Sequence, residues 1–333
     1  MGIRILTPKT TYTTDYPEAI MFAEAQAEIF WLPEEIHVEK DLHSLKTTFT
    51  DAEYHGVIST LKLFTLYELQ VGNEYWQNYI CQLFPRPDIQ RMATTFSFFE
   101  IGVHSVFYNK INELLGLDTD EFYTDYLNDD VLKNRMAWIG SRTTKRDSVF
   151  DILKSVGVFS MIEGAILYSS FAFLKHFNSN GKNKLTAINA GINFSINDET
   201  WHSEAGAWLF RTTLAEAMAD GQISEDDKLK LKYEFEGTAR VILEHESIII
   251  NKIFEKGSIK GISATQLENF VQSRLDICLK QLGFNRIFKP SYNPIADWIY
   301  NDINSSVLHD FFSSQGNDYS RDWVEKKFIW NAG

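Results

Sequence analysis

The stretch from Ser155 to Leu174 constrains the fold more than any other, because its twenty residues carry a single charge, Glu163. By length alone the stretch fits a membrane-spanning helix. That interpretation is rejected, since an isolated glutamate in mid-bilayer is costly and the sequence contains no second span. A helix that is apolar on every side is equally typical of the innermost helix of a bundle. We therefore predict a buried core helix surrounded by other helices, and no membrane partner.

The rest of the chain also has helical periodicity, whereas strand signals are scarce. The predicted helices cover about Tyr16–Trp31, Thr50–Phe84, Asp88–Leu115, Asp120–Leu127, Val131–Ser141, Asp147–Phe177, Lys184–Asp220, Ser224–Lys256 and Ser263–Leu282. After Pro290 the periodicity fades into a segment rich in Asn, Ser, Asp and aromatic residues. We predict an all-α bundle over residues 1–290 and a flexible C-terminal tail over residues 291–333.

Composition excludes several classes of partner. The formal net charge of -13 argues against nucleic acid, which requires a basic face, and no Gly-rich phosphate loop is present. Cys81 and Cys278 have neither metal-binding nor redox spacing, so we expect reduced thiols. The N-terminal apolar run is too short for a signal peptide, and a cytoplasmic location is expected.

Six residues on four of the predicted helices have the side chains of metal ligands. Glu199 and His202 are three residues apart, so on a helix both project from one face. Taken alone, such a pair is usually solvated, and a lone core histidine is usually satisfied by other hydrogen bonds. The full set is Glu68 on one helix, Glu100 with His104 on a second, Glu163 on a third, and Glu199 with His202 on a fourth. This is the ligand inventory of a ferritin-like dinuclear carboxylate site.

Charge balance supports two metal ions rather than one. Four carboxylates and two divalent cations sum to zero, whereas the same carboxylates without metal would leave an unfavourable buried charge. Oxygen-rich ligation with one imidazole per metal suits iron or manganese better than zinc or copper. Glu74 is a rival to Glu68 on the same helix, whereas Glu39 with His43 is interpreted as a solvated pair.

Several further motifs complete the pattern. They are Phe30-Trp31 followed by Pro33-Glu34-Glu35, His104-Ser105-Val106-Phe107-Tyr108, Glu163-Gly164, Asp198-Glu199-Thr200-Trp201-His202, and His309-Asp310-Phe311-Phe312 with Tyr319 beyond. In these residues the chain resembles the small, radical-generating subunit of class I ribonucleotide reductase. The resemblance covers almost the whole chain.

The resemblance implies a division of labour between two subunits. A dimetal centre, iron most commonly and manganese or a mixed pair otherwise, reacts with oxygen and oxidises Tyr108 to a stored radical. The oxidising equivalent then leaves through His104, Asp198 and Trp31 toward Tyr319. It reaches a large subunit, docked through the C-terminal tail, where ribonucleoside diphosphates are reduced. The small subunit itself is expected to be a homodimer.

A stored phenoxyl radical persists only where water and reductants are excluded. Leu167 and Phe171, on the helix of Glu163, are predicted to supply that apolar wall beside Tyr108. Two other classes of protein remain as alternatives. A ferritin-like oxidase or hydroxylase shares the ligands but needs neither Trp31, Tyr108 nor the tail, and an iron-storage or structural bundle needs no buried tyrosine beside the site.

The spacing of Glu100 and His104 departs from the family pattern, in which this pair is usually three residues apart rather than four. Each residue of a regular α-helix turns by about 100°, so the extra residue would swing one ligand away. The simplest accommodation is a π-bulge, which is frequent at functional sites. We predict such a bulge between Phe98 and His104, with Glu100 placed to bridge the two metals. The alternative is a regular helix in which the longer reach of glutamate closes the gap.

Overall fold

A computed structural model describes residues 2–143 and 145–301. The principal helices are α1 (Pro17–Glu28), α2 (Glu39–Thr47), α3 (Asp51–Gln70, continuing as a π-helix over Val71–Ile80 and ending with Cys81–Leu83), α4 (Pro87–Phe99, a π-helix over Glu100–His104, then Ser105–Leu115), α5 (Asp120–Thr124), α6 (Asp130–Thr143), α7 (Val149–Ala165), α8 (Tyr168–His176), α9 (Thr186–Ala219), α10 (Glu225–Ile253), α11 (Ala264–Gln281) and α12 (residues 294–301). Within the described ranges the one extended pairing is an isolated bridge between Ile259 and Ile262. The all-α prediction is confirmed.

Helix starts follow local capping chemistry. The side chain of Thr50 accepts a hydrogen bond from the backbone N–H of Glu53, and the Glu53 carboxylate accepts one from the Thr50 N–H. This reciprocal arrangement satisfies donors that the first turn leaves unpaired. Ser224 and Ser263 begin α10 and α11 in the same way. The start predicted at Thr50 is therefore confirmed.

The long apolar stretch lies at the centre of the bundle. The region Val149–His176 is apolar enough and long enough to span a membrane, yet its most apolar window is entirely buried by other helices. Helix α7 packs along α9 and against α6, α10 and α11. Its composition is thus that of a core helix, as predicted.

This stretch is two helices rather than the single one predicted. Between α7 and α8 the buried Arg274 donates through Nε to the carbonyl of Gly164 at 3.0 Å, and the buried Arg135 donates to the carbonyl of Ile166 at 3.3 Å. Each arginine thereby binds a carbonyl that a continuous helix would use internally, so the ladder breaks at this point. The break could not be read from the apolar pattern because both arginines come from distant helices.

Two chain segments differ from their predicted extents. Helix α1 ends at Glu28 rather than at Trp31, and the buried Trp31 turns inward to contact Asp198. Beyond Pro290 the weak pattern contains a helix, α12, whose Ile295 and Ile299 are buried. The division at residue 290 remains a prediction, and Tyr319 and the motif from His309 to Phe312 lie outside the described residues.

Candidate metal centre

Helices α3, α4, α7 and α9 bring all six predicted ligands into one buried cluster. They are Glu68, Glu100, His104, Glu163, Glu199 and His202, and none is more than 6% exposed. The rival Glu74 is exposed on the far side of α3 and takes no part. The sequence prediction therefore selected the residues that meet.

The cluster consists of two groups that share two glutamates. Glu68, Glu100, His104 and Glu199 form one group, and Glu100, Glu163, Glu199 and His202 form the other; within each, one ligand atom per residue lies within 4.8 Å of all the rest. Glu199 has Oε1 at 3.4 Å from His104 Nδ1 and Oε2 at 3.7 Å from His202 Nδ1. Glu100 also lies between the two histidines, with Oε2 at 3.4 Å from His104 Nδ1 and Oε1 at 2.6 Å from His202 Nδ1. Two shared carboxylates are the arrangement expected for a pair of adjacent cations.

The predicted π-bulge is present in α4. The backbone N–H of Ser105 donates to the carbonyl of Glu100, five residues earlier, and the segment Glu100–His104 is π-helical. The extra residue is absorbed between the two ligands, which leaves the Glu100 carboxylate between the two histidines. A regular helix, the alternative, is excluded. A second π-segment in α3, which was not predicted, carries Trp76, whose indole N–H donates to Glu163 Oε1 at 3.0 Å.

A chain of hydrogen bonds outside the cluster joins the two histidines. His104 Nε2 is 2.8 Å from Asp198 Oδ2, which also accepts from the Trp31 indole at 3.0 Å. The Gln26 amide donates to Asp198 Oδ1 at 2.7 Å, while its oxygen lies 3.1 Å from His202 Nε2. Because ionised Asp198 only accepts and the amide oxygen only accepts, both Nε2 atoms are assigned the proton. Both Nδ1 atoms then face the carboxylates, on the side where each would offer its lone pair to a bound metal.

The predicted route already contained His104, Asp198 and Trp31, whereas Gln26 was not predicted. The signal was present in α1, where the inward face reads Ala19, Phe22, Ala23 and Gln26 at helical spacing, so a fully buried amide continues an apolar stripe. A buried amide requires partners. Its partners became visible only when α1 was placed against α9.

The electrostatics of the cluster fit cations. Burial, followed by the charge of Glu100, raises the pKa of Glu68 well above its usual value, and burial with Glu199 raises the pKa of Glu163. Burial alone would lower the pKa of His104, yet Glu100 and its other acidic neighbours raise it well above its usual value. Among the described residues, buried ligand atoms that include both Glu100 oxygens and both histidine Nδ1 atoms have no hydrogen-bond donor. Buried carboxylate oxygens and imidazole nitrogens without hydrogen-bond partners are groups that two divalent ions would satisfy.

Tyr108 lies one turn beyond His104 and is fully buried. Its ring stacks on Phe64, with centroids 4.4 Å apart and planes at 12°, and Phe64 also stacks with Phe171 at 5.2 Å. The Tyr108 hydroxyl donates to Ser195 Oγ at 3.0 Å. Burial, together with the nearby charge of Glu68, raises the pKa of Tyr108 well above its usual value.

The apolar residues beside Tyr108 therefore differ from the predicted pair, Leu167 and Phe171. Phe64, which sequence analysis missed, lies directly against Tyr108, and Phe171 forms a second layer. Leu167 lines the small cavity beside Glu68 and Glu163. The available signal for Phe64 was its position one helical turn before the ligand Glu68.

The family follows from a comparison with known proteins. The family model described as ribonucleotide reductase, small chain, matches residues 9–294. The chain belongs to the ribonucleotide reductase small chains. Its function is that of a small subunit of this reductase, and the bundle described above is the ferritin-like fold of that family.

Individual relatives of this small chain are distant but nearly full-length. A probable ribonucleoside-diphosphate reductase small subunit of Invertebrate iridescent virus 3 is 23% identical over 345 residues, covering 98% of this chain and 89% of the relative. Dimanganese(II)-NrdF of Streptococcus sanguinis has a TM-score of 0.73 at 20% identity, covering 89% of this chain and 99% of that one. The Rnr4 homodimer of Saccharomyces cerevisiae has a TM-score of 0.69 at 16% identity, covering 92% of each chain. These structural likenesses support the shared fold.

Other charged residues of this small chain lie apart from the cluster. Glu246 is fully buried between helices and forms an ion pair with Arg135. Its charge is compensated locally, so it has no role in metal ligation. Glu39 is exposed beside His37, as expected for a solvated residue.

Proposed function

We propose that this ribonucleotide reductase small chain stores its oxidising equivalent on Tyr108. The observation that carries the proposal is the placement of a fully buried tyrosine one turn from His104, against stacked phenylalanines and with its hydroxyl on Ser195. A phenol in such a site is protected from water and from soluble reductants. A purely structural bundle has no need of it there.

The proposed cofactor is a pair of metal ions, one in each four-residue group. Glu68 and His104 would hold one ion, Glu163 and His202 the other, and Glu100 and Glu199 would contribute to both. Iron is the first candidate, with a manganese or mixed pair as alternatives, because carboxylate-rich sites with one imidazole per metal suit both. When bound, the metal pair supplies the oxidising power, drawn from dioxygen, for oxidation of a phenol.

The residues outside the cluster form the proposed exit route. His104, Asp198 and Trp31 are joined by hydrogen bonds at 2.8 Å and 3.0 Å, and the Trp31 and His104 rings are stacked at 6.0 Å. This contact sequence supports transfer from the centre to Trp31. Tyr319, outside the described residues, is proposed as the next relay toward a large subunit that reduces ribonucleoside diphosphates, with the C-terminal tail as its docking segment.

A second copy of this chain is the proposed partner at one apolar face. Leu69, Phe98 and Val106 project from α3 and α4 with exposures of 44%, 50% and 40%, which we define as the α3–α4 face. Exposed apolar side chains on neighbouring helices are typical of association surfaces. The homodimer named for the yeast relative supports a homodimer for this chain as well. A cytoplasmic location is proposed with it.

The decisive experiment replaces the phenol hydroxyl alone. Tyr108→Phe is expected to retain the metal content of the wild type after aerobic reconstitution with ferrous or manganous ions, but to lose the tyrosyl signal in the electron paramagnetic resonance (EPR) spectrum. Tyr168→Phe is the matched control, because Tyr168 is also buried in the core. A tyrosyl signal that survives in Tyr108→Phe contradicts the assignment, and the absence of any radical in the wild type favours a ferritin-like oxidase.

A further inference from the structure

The residues around Tyr108 occupy a layer one helical turn away from the metal ligands. Phe64 precedes Glu68 by four residues, and Ser195 precedes Glu199 by four. Since residues four apart lie above one another on a helix, α3 and α9 each place one side chain beside the tyrosine. Phe64 and Ser195 are both fully buried. The layer therefore contains an aromatic ring from α3 and a hydroxyl from α9.

Ser195 supplies the polar side chain that the Tyr108 hydroxyl contacts directly. Its Oγ accepts from the Tyr108 hydroxyl at 3.0 Å, which is the one hydrogen bond that this hydroxyl makes among the described residues. Two aromatic rings also lie beside the phenol, Phe64 stacked at 4.4 Å and Phe107 at 5.0 Å. Burial of a serine at such a position is unfavourable unless its hydroxyl is used. Packing alone would be served better by alanine or an aliphatic residue.

A serine hydroxyl has a property that no apolar residue could supply: it both donates and accepts. Toward a phenol it accepts a hydrogen bond from the tyrosine hydroxyl. A neutral phenoxyl has lost its hydroxyl proton, so the serine hydroxyl then donates a hydrogen bond to the phenoxyl oxygen after a rotation about one bond. The heavy atoms need not move in either case.

We infer that Ser195 is the hydrogen-bond partner of Tyr108 in both its phenol and its phenoxyl state, and so is a positioning residue for the stored radical. This inference rests on the radical assignment proposed above and adds no redox step to it. With a metal pair held by the cluster, oxidation of Tyr108 would transfer one electron to that pair and the hydroxyl proton to a carboxylate of the cluster, of which Glu68 is the one whose charge acts most on the phenol. Ser195 keeps its own proton, because a serine hydroxyl is neither an oxidant nor an effective base.

The hydrogen bond has a spectroscopic consequence that packing cannot reproduce. Donation to the phenoxyl oxygen stabilises its lone-pair orbital and lowers gx, the largest principal g value of a tyrosyl radical. The donated hydrogen is exchangeable and therefore couples to the radical as deuterium after exchange into heavy water. The same bond fixes the ring orientation and should prolong the lifetime of the radical.

The test compares Ser195→Ala with Ser195→Thr, which removes or retains the hydroxyl, in the reconstituted full chain. High-field EPR of the wild type should show a lowered gx and an exchangeable deuterium coupling. Ser195→Ala should raise gx, lose that coupling and shorten the radical lifetime, whereas Ser195→Thr should restore the signature. Ser160→Ala is the matched control, because the fully buried Ser160 hydroxyl donates to the carbonyl of Ser203, away from Tyr108. An unchanged gx in Ser195→Ala overturns the inference.

A second measurement needs no metal and separates this inference from the radical assignment. In metal-free protein with tyrosine labelled by carbon-13 at Cζ, the Tyr108 resonance, identified by its loss in Tyr108→Phe, reports exchange of the hydroxyl hydrogen. Ser195→Ala should speed that exchange, while Ser160→Ala should not. If the wild type forms no radical yet this exchange responds as expected, the radical assignment fails and the hydrogen bond stands. An exchange rate that Ser195→Ala does not change overturns the inference directly.

Discussion

His104 and Asp198 are joined by a hydrogen bond of 2.8 Å between Nε2 and Oδ2, both fully buried. This contact fixes the imidazole with its Nδ1 toward the three carboxylates of Glu68, Glu100 and Glu199, at 3.4 to 3.5 Å. One aspartate thus orients a ligand on its inner side and holds Trp31 on its outer side. The metal cluster and the proposed exit route share this residue.

Trp31→Phe is expected to uncouple radical formation from ribonucleotide reduction. The substitution retains an aromatic ring but removes the indole N–H that Asp198 accepts, so metal content should persist while ribonucleotide reduction with the large subunit is lost. Tyr319→Phe, at the proposed next relay, should likewise leave radical formation intact and abolish turnover. Trp208→Phe, a change at a buried tryptophan of α9, is the control. Turnover retained in Trp31→Phe or in Tyr319→Phe would remove that residue from the route.

Gln26→Leu should weaken metal binding without removing a ligand. The amide bridges Asp198 and His202 at 2.7 Å and 3.1 Å, so its loss frees the His202 ring and leaves Asp198 one donor short. Loss of such an outer hydrogen bond typically lowers metal affinity by roughly 10- to 100-fold. Competition with a chelator measures the change, and Gln222→Leu at the surface should show none. Equal affinities in all three proteins would mean that the bridge is incidental.

Glu163→Ala should lower the metal content, with the loss concentrated in the group that contains His202. The matched control is Glu74→Ala, because Glu74 is an exposed acid on α3 outside the cluster. Elemental analysis after reconstitution should give two ions per chain in the wild type and in the control. A wild-type value near zero would contradict the metal site, and an unchanged Glu163→Ala would contradict the ligand assignment.

Phe98→Glu should convert a homodimer into monomers. A charge on the α3–α4 face would be buried without a partner in the proposed dimer, which is strongly unfavourable. Analytical ultracentrifugation measures the mass, and Tyr233→Glu, at a residue that is 59% exposed on α10, serves as the control. A dimer that persists in Phe98→Glu would contradict the assignment of this face to the homodimer. Loss of large-subunit binding in the same variant would assign the face to the large subunit instead.

His176 should make the protein less stable in mild acid. Burial, with a further contribution from the charge of Lys182, lowers the pKa of His176 to about 4. The unfolded chain, with an ordinary pKa of about 6.5, therefore binds the proton first, and stability is lost as the pH falls from about 6.5 toward about 4. Between pH 7 and pH 5 the loss attributable to this residue should be about 1 to 2 kcal/mol.

The measurement is the change in unfolding free energy in urea between the two pH values, for the wild type and for His176→Asn. His176 Nε2 is 3.1 Å from the carbonyl of Lys260 and Nδ1 is 2.9 Å from Lys182 Nζ, contacts that an asparagine amide can imitate in its neutral form. The variant should lose the extra acid sensitivity, whereas His43→Asn, at an exposed position, should keep it. Identical pH dependence in wild type and His176→Asn would contradict the assignment.

The sequence alone determined the helical class, the six residues that meet in the buried cluster and the π-bulge, because helical periodicity and the rarity of buried acids are both visible without the fold. The four-residue interval between Glu100 and His104 sufficed to predict the bulge, and a lone Glu163 in an apolar stretch sufficed to place it in a core. Such features follow from the 3.6-residue period and from the unfavourable burial of charge.

Contacts between distant helices were decided by the tertiary structure alone. Gln26 meets His202 across 176 residues of sequence, Phe64 stacks on Tyr108 from a separate helix, and Arg274 breaks the core helix at Gly164 from 110 residues away. No local pattern encodes such pairs, because each partner has an ordinary alternative explanation within its own helix. Packing of one helix face against another selects among those alternatives, since a buried polar group is stable only where a partner from elsewhere in the chain reaches it.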